Sequence, residues 1–90
     1  MPEVRAHITI TSPHGLHARP AMTLVDTANG FSSRIQLVKK GQAVDAKSIM
    51  QLMMLAATCG TKLEIIAEGE DAAEAVAALE ALNANNFDEA

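Results

Sequence analysis

The stretch Gly15-Leu16-His17-Ala18-Arg19-Pro20 sets a histidine and an arginine two positions apart, between a polar turn and an apolar-periodic run. The turn is Thr11-Ser12-Pro13-His14-Gly15. Pro20 suits the first turn of a helix, where its missing N–H would have no intrahelical acceptor anyway. His17 then stands at or just before the helix start, with Arg19 a short step further on. Unpaired N–H groups and the positive end of the helix dipole make such a start a seat for phosphate. Imidazole is a nucleophile toward phosphorus, and a guanidinium binds phosphoryl oxygens as a fork. Together these residues predict a histidine that accepts a phosphoryl group, with Arg19 stabilising it.

The other chemistry-bearing side chains are sparser. His14 and His17 have an H-x-x-H spacing, but no third ligand is evident, so no metal site is expected and His14 reads as a solvated loop residue. His7 belongs to the polar face of a strand. The single cysteine, Cys59, can form neither an internal disulfide nor a CxxC motif and reads as a small buried or half-buried apolar residue in a reducing compartment. Ser48-Ile49-Met50-Gln51 has the form of a capping box. In the run that follows, Ile49, Leu52 and Leu55 suffice for a buried stripe. Met50 and Met53 are then free to face outward as an adaptable apolar docking patch; the competing reading is an irregular core filled by methionines. No second catalytic acid or base and no glycine-rich nucleotide loop is visible. Neither a stand-alone enzyme nor a cofactor is expected.

Positioning these residues requires a short series of elements. Val4, Ala6, Ile8 and Ile10 alternate with polar residues and predict a half-buried strand. From Ala18 to Asn29, residues Ala18, Ala21, Met22, Leu24, Val25 and Ala28 recur at helical spacing, and Gly30 offers a left-handed stop. Ser32 to Val38 predicts a second strand with Phe31, Ile35 and Leu37 on one face. Lys39-Lys40-Gly41 turns it into a third strand, Gln42 to Asp45. A short helix runs from Ser48 toward Gly60. Leu63, Ile65 and Ala67 mark a fourth strand, with Ile66 breaking the alternation. Asp71 and Glu74 repeat the capping pattern before an alanine-rich helix, Ala72 to Leu82. A polar, acidic tail follows over residues 83–90, with a frayed end. The order β-α-β-β-α-β-α implies an α+β, two-layer open-faced sandwich: an antiparallel sheet with three helices on one face.

Ninety residues allow a single domain, spanning 1–90, with a modest core. Hydrophobic residues make up 49% of the chain and only Phe31 and Phe87 are aromatic, so Val, Ile, Leu, Met and Ala are expected to build that core. A net charge of −4 and a pI near 5.2 argue against non-specific nucleic-acid binding. No signal peptide or membrane-length apolar run is seen, so a soluble cytoplasmic protein without membrane insertion is expected.

Two motifs in matching order, Gly15-Leu16-His17-Ala18-Arg19-Pro20 and Asp45-Ala46-Lys47-Ser48-Ile49-Met50, resemble those of the HPr family. These are the phosphocarriers of the bacterial phosphoenolpyruvate-dependent sugar phosphotransferase system. The resemblance runs from Val4 to Leu82. It implies a four-stranded sheet in the order 1-4-2-3 and phosphorylation of His17 on Nδ1 by phospho-Enzyme I. The phosphoryl group would then pass to a histidine of a IIA component. Regulatory phosphorylation of Ser48 by HPr kinase/phosphorylase and partner docking near Met50 and Met53 are also implied, for a protein expected to act as a monomer. The alternatives are the family's nitrogen-pathway branch, NPr, and a purely regulatory module signalling through Ser48. The first helix carries Thr23, Asp26 and Asn29 where many enterobacterial members carry lysines, so weaker electrostatic steering toward acidic IIA surfaces is expected.

Overall fold

A computed structural model describes residues 2–88 of the chain. Four strands, β1 (Glu3–Thr9), β2 (Arg34–Lys39), β3 (Gln42–Asp45) and β4 (Lys62–Glu68), form one sheet in the order β1-β4-β2-β3. Every neighbouring pair is antiparallel. Three helices, α1 (Ala18–Ala28), α2 (Ile49–Leu55) and α3 (Ala72–Ala84), cover one face, and a 3₁₀ turn at Asn86–Asp88 follows. The open-faced sandwich implied by the motifs is therefore the fold observed.

The alternation read in the strands sets the register. Ile8 lies opposite Leu63, Ala6 opposite Ile65, and Leu37 opposite both Ile65 and Val44. These side chains share the face beneath the helices, where they meet Leu24, Leu52, Leu55 and Leu79 in one buried cluster. Residues between them, such as Arg5, His7 and Lys62, face solvent. The β2–β3 hairpin turns through Lys40 (φ +47°) and Gly41 (φ +84°), two left-handed residues as a tight two-residue hairpin requires.

Several local expectations are corrected. α1 does not end on a left-handed Gly30. Asn29 keeps helical angles, its N–H and its side-chain amide both donate to Val25 O at 2.9 Å, and Gly30 N–H donates to Thr27 O. Within α1, Ala18 and Met22 are exposed rather than part of the buried stripe. α2 stops at Leu55, well short of Gly60, because Ala56 itself takes the left-handed conformation (φ +52°, ψ +47°).

The capping box is half formed. Ser48 Oγ accepts from Gln51 N–H at 3.3 Å, but Gln51 Oε1 accepts from Asp45 N–H at 2.8 Å instead of reaching back to Ser48. Asp71 caps nothing by its side chain. Its carboxylate accepts from the backbone N–H groups of Ser32 (2.8 Å) and Ser33 (2.9 Å) and from both hydroxyls, tying α3 to the start of β2.

The region expected to be a polar tail from Asn83 continues as structure. α3 runs to Ala84, and Phe87 is buried in the core at 2% exposure, held in a left-handed conformation (φ +55°). The core is thus not built from aliphatic residues alone. The expected frayed end, at Glu89 and Ala90, lies outside the described residues.

Candidate functional site

His17 is the N-cap residue of α1, with extended backbone angles (φ −77°, ψ −174°). Its carbonyl accepts the first helical bond, from Ala21 N–H at 3.0 Å. Ala18, Arg19 and Pro20 are therefore the first three helical residues. Pro20, buried, has no N–H to leave unpaired, so among the first three helical residues Ala18 and Arg19 are those whose N–H groups the helix leaves without an internal acceptor. No acidic residue occupies the first turn of α1. The positive helix end is thus not neutralised locally and stays available to an anion.

The turn that delivers His17 is fixed from outside itself. Gly15 N–H donates to Ser12 O, and Leu16 N–H donates to Ala57 O at 2.7 Å, in the loop after α2. Gly15 has φ +70°, and a Cβ there would lie 2.6 Å from Ala57 O and 2.7 Å from Thr58 Cα. Only glycine satisfies both the backbone angle and the close approach. The Gly15 signal in the sequence indicated a turn; the packing of a distant loop against it was not visible there.

The His17 ring is half-buried, and its Nε2 atom is shielded from solvent. It borders an open hollow of about 250 Å³ shared with His14, Leu16, Met53, Ala56 and Thr58. The structure thus brings Met53 beside His17. Arg19, Ser48 and Met50 lie outside the lining of this hollow. The exposed Arg19 side chain forms no ion pair among the described residues, so it is not committed elsewhere. His14 is exposed, as read from the sequence, yet its ring stands edge-on to that of His17, with centroids 6.0 Å apart.

Exposure excludes the core-filling reading for most of the methionines. Met50 is 74% exposed and Met54 71%, so they do not fill the core. Met53 (38%) and Met22 of the neighbouring α1 (57%) add to the apolar surface, and Met22 is the member that its helical spacing disguised. Ser48 is half-buried at the start of α2. Cys59 is exposed, contrary to expectation, because the loop after α2 carries it on the surface. His7 is exposed and approaches Glu64 at 3.8 Å. Among the described residues no group of three or more His, Cys, Asp or Glu is placed to hold a metal ion. No helix among them is long and apolar enough to cross a membrane.

The model of the family described as the PTS HPr component phosphorylation site matches residues 4–85. The chain is 44% identical over 82 residues to the phosphocarrier protein HPr of Treponema pallidum (strain Nichols), covering 91% of this chain and 93% of that one. It is 46% identical over 81 residues to the phosphocarrier protein HPr of Cupriavidus necator, covering 90% and 91%. Among solved structures, HPr-C-His from Thermoanaerobacter tengcongensis superposes with a TM-score of 0.91 at 44% identity, over 100% of this chain and 99% of that one.

Proposed function

The chain belongs to the HPr family of phosphocarrier proteins of the phosphotransferase system, and from that premise we propose that His17 is its phosphoryl acceptor. The observation that carries this reading is the placement of His17 as the N-cap of α1, with Ala18 and Arg19 N–H groups unclaimed by the helix. The group is taken from the phosphohistidine of phospho-Enzyme I, charged from phosphoenolpyruvate, and passed to a histidine of a IIA component during sugar uptake.

Nε2 of His17 is shielded from solvent, and this reading puts the phosphoryl group on Nδ1, as the family resemblance implies. The Nδ1 lone pair forms the new N–P bond as the donor's N–P bond breaks, and the His17 proton stays on Nε2 throughout. The transferred group needs little covalent help. It needs a positioned nucleophile and stabilisation of its oxygens, which the helix start and the uncommitted Arg19 guanidinium supply. Because the hollow is open, a second protein can reach the histidine from outside and take the group away again. The methionine surface of α1 and α2 borders this site and is the docking face in this reading. The HPr names of the relatives favour the sugar pathway over the nitrogen branch.

Regulation at Ser48 fits the same face. A phosphate on Ser48 would stand at the start of α2, where negative charge is tolerated, and would act on docking rather than on the helix itself.

Incubating the chain with phosphoenolpyruvate and Enzyme I should add one acid-labile phosphate, mapping to His17. Transfer that persists in His17→Ala, or a phosphate mapping to His14, would overturn the assignment.

A further inference from the structure

The loop after α2 borders two hollows, since Thr58 lines both the one beside His17 and a second, larger one of about 550 Å³. The larger hollow is walled by Lys39, Lys40, Thr58, Cys59, Thr61 and Lys62. In a chain with 7 Lys and Arg against 11 Asp and Glu, this is an unusual concentration of one sign of charge. No carboxylate lines it.

The three lysines reach it from separate elements. Lys39, at the end of β2, donates from Nζ to Leu55 O (3.1 Å) and Ala56 O (3.2 Å), which fixes its ammonium at the C-terminal end of α2. Lys40 is held at the rim by the left-handed hairpin turn, and Lys62 opens β4. Both are exposed and form no ion pair among the described residues. The hydroxyls of Thr58 and Thr61, 3.2 Å apart, add neutral donors to the same wall. Ammonium groups gathered in a concave surface without counter-charge repel one another and raise the local positive potential, and an anion relieves both effects.

We propose that this hollow is a binding site for a small polyanion bearing two or more phosphate or carboxylate groups. Its volume falls in the range of about 300–1,000 Å³ typical of small-molecule sites. A single anionic group would engage one rim ammonium, whereas Lys40 and Lys62 offer two from different elements. The site is distinct from the phosphoryl-acceptor site but shares a wall with it. Thr58 Cα lies against Gly15, and Ala57 O holds Leu16 N–H, so the loop that a ligand would grip is the one that seats the His17 turn.

Cys59, the only cysteine and exposed in this hollow, supplies the reporter. Inorganic tripolyphosphate, added to the full chain at constant ionic strength, should slow alkylation of Cys59 by iodoacetamide saturably. It should also shift amide resonances centred on residues 58–62. Citrate in a parallel arm separates a polycarboxylate from a polyphosphate preference, and saturable protection by either supports the site. The double variant Lys40→Gln/Lys62→Gln changes two exposed side chains, so its melting temperature should hold. Its affinity for the probe should fall by at least about tenfold, the loss of two charge-assisted contacts. Protection that merely tracks ionic strength, affinity unchanged in the double variant, or resonance shifts centred on Ala18 and Arg19 would overturn the proposal. Protection of Cys59 by an acidic protein surface but by neither small anion would also overturn it.

Discussion

Pro20 as the third residue of α1 thins the crowd of donors at the helix start to Ala18 and Arg19, the two nearest His17 in the chain. The Arg19 side chain, exposed and uncommitted, adds charge without adding packing. Arg19→Ala should therefore slow phosphoryl transfer by roughly 10- to 100-fold, the worth of one or two charge-assisted bonds in the transition state. Its melting temperature should match that of the unaltered chain, and a marked drop would assign Arg19 a structural role instead. Asp71 is the opposite kind of residue, structural where its motif suggested only a cap. The hydroxyl of Ser33, the N–H of Ser32 and the remaining serine donors hold its carboxyl down to about 2. A depressed carboxylate contributes stability that is fully present above its unfolded value, near pH 4, and that is lost as pH falls toward 2. Urea titrations should show this acid-sensitive component in the wild type and lose it in Asp71→Asn, which should also be the less stable protein at pH 7. Equal slopes between pH 4 and 2 would refute the linkage. The sequence displayed the Asp71 carboxylate but not its partners, because Ser32 and Ser33 meet it only across the folded chain.

At the scale of elements, α2 separates capping from docking. Ser48→Asp keeps an oxygen for Gln51 N–H, so stability should change by less than about 1 kcal/mol. The added charge stands at the start of the methionine-bearing α2 and should weaken phosphorylation by Enzyme I in a way that partly recovers at high salt. Met50→Ala should weaken it without that salt dependence and with little change in melting temperature, since the side chain is 74% exposed. Wild-type transfer rates in both variants would remove α2 from the docking face. The strands were legible because a half-buried sheet imposes strict alternation, and Ile8, Leu37 and Leu63 kept it. Helix ends were not. Gly30 and Gly60 looked like stops, yet Gly30 is not left-handed, and α2 ends four residues before the left-handed Gly60 (φ +90°), at a left-handed Ala56 placed there by the loop that must pass Gly15. The exposed Met22 shows the same limit: helical spacing identifies an apolar face but not how much of it the neighbouring helix covers.

Across the whole molecule, the last described segment closes the core. Thr11 Oγ1 donates to Asn86 Oδ1 at 2.7 Å and Asn83 Nδ2 donates to Thr9 O at 2.9 Å, while Phe87 fills the space behind them. Phe87→Ala should cost about 3–5 kcal/mol by leaving a cavity, a large share of the stability of a domain this small. A denaturation midpoint near that of the wild type would show the segment to be dispensable. The polar composition around Phe87 hid this role, since one aromatic residue in an acidic stretch has no periodicity to reveal it. The bond from Leu16 N–H to Ala57 O has a consequence for the order of synthesis. It closes a loop of about forty residues, and such closures come late because their entropy must be met before their contacts form. A chain leaving the ribosome with His17 but without Ala57 and Thr58 has the histidine and no seat for it. If His17 is the phosphoryl acceptor, as proposed, a partly made chain should accept phosphoryl groups from the relay only once Ala57 and Thr58 have been made and the turn is seated.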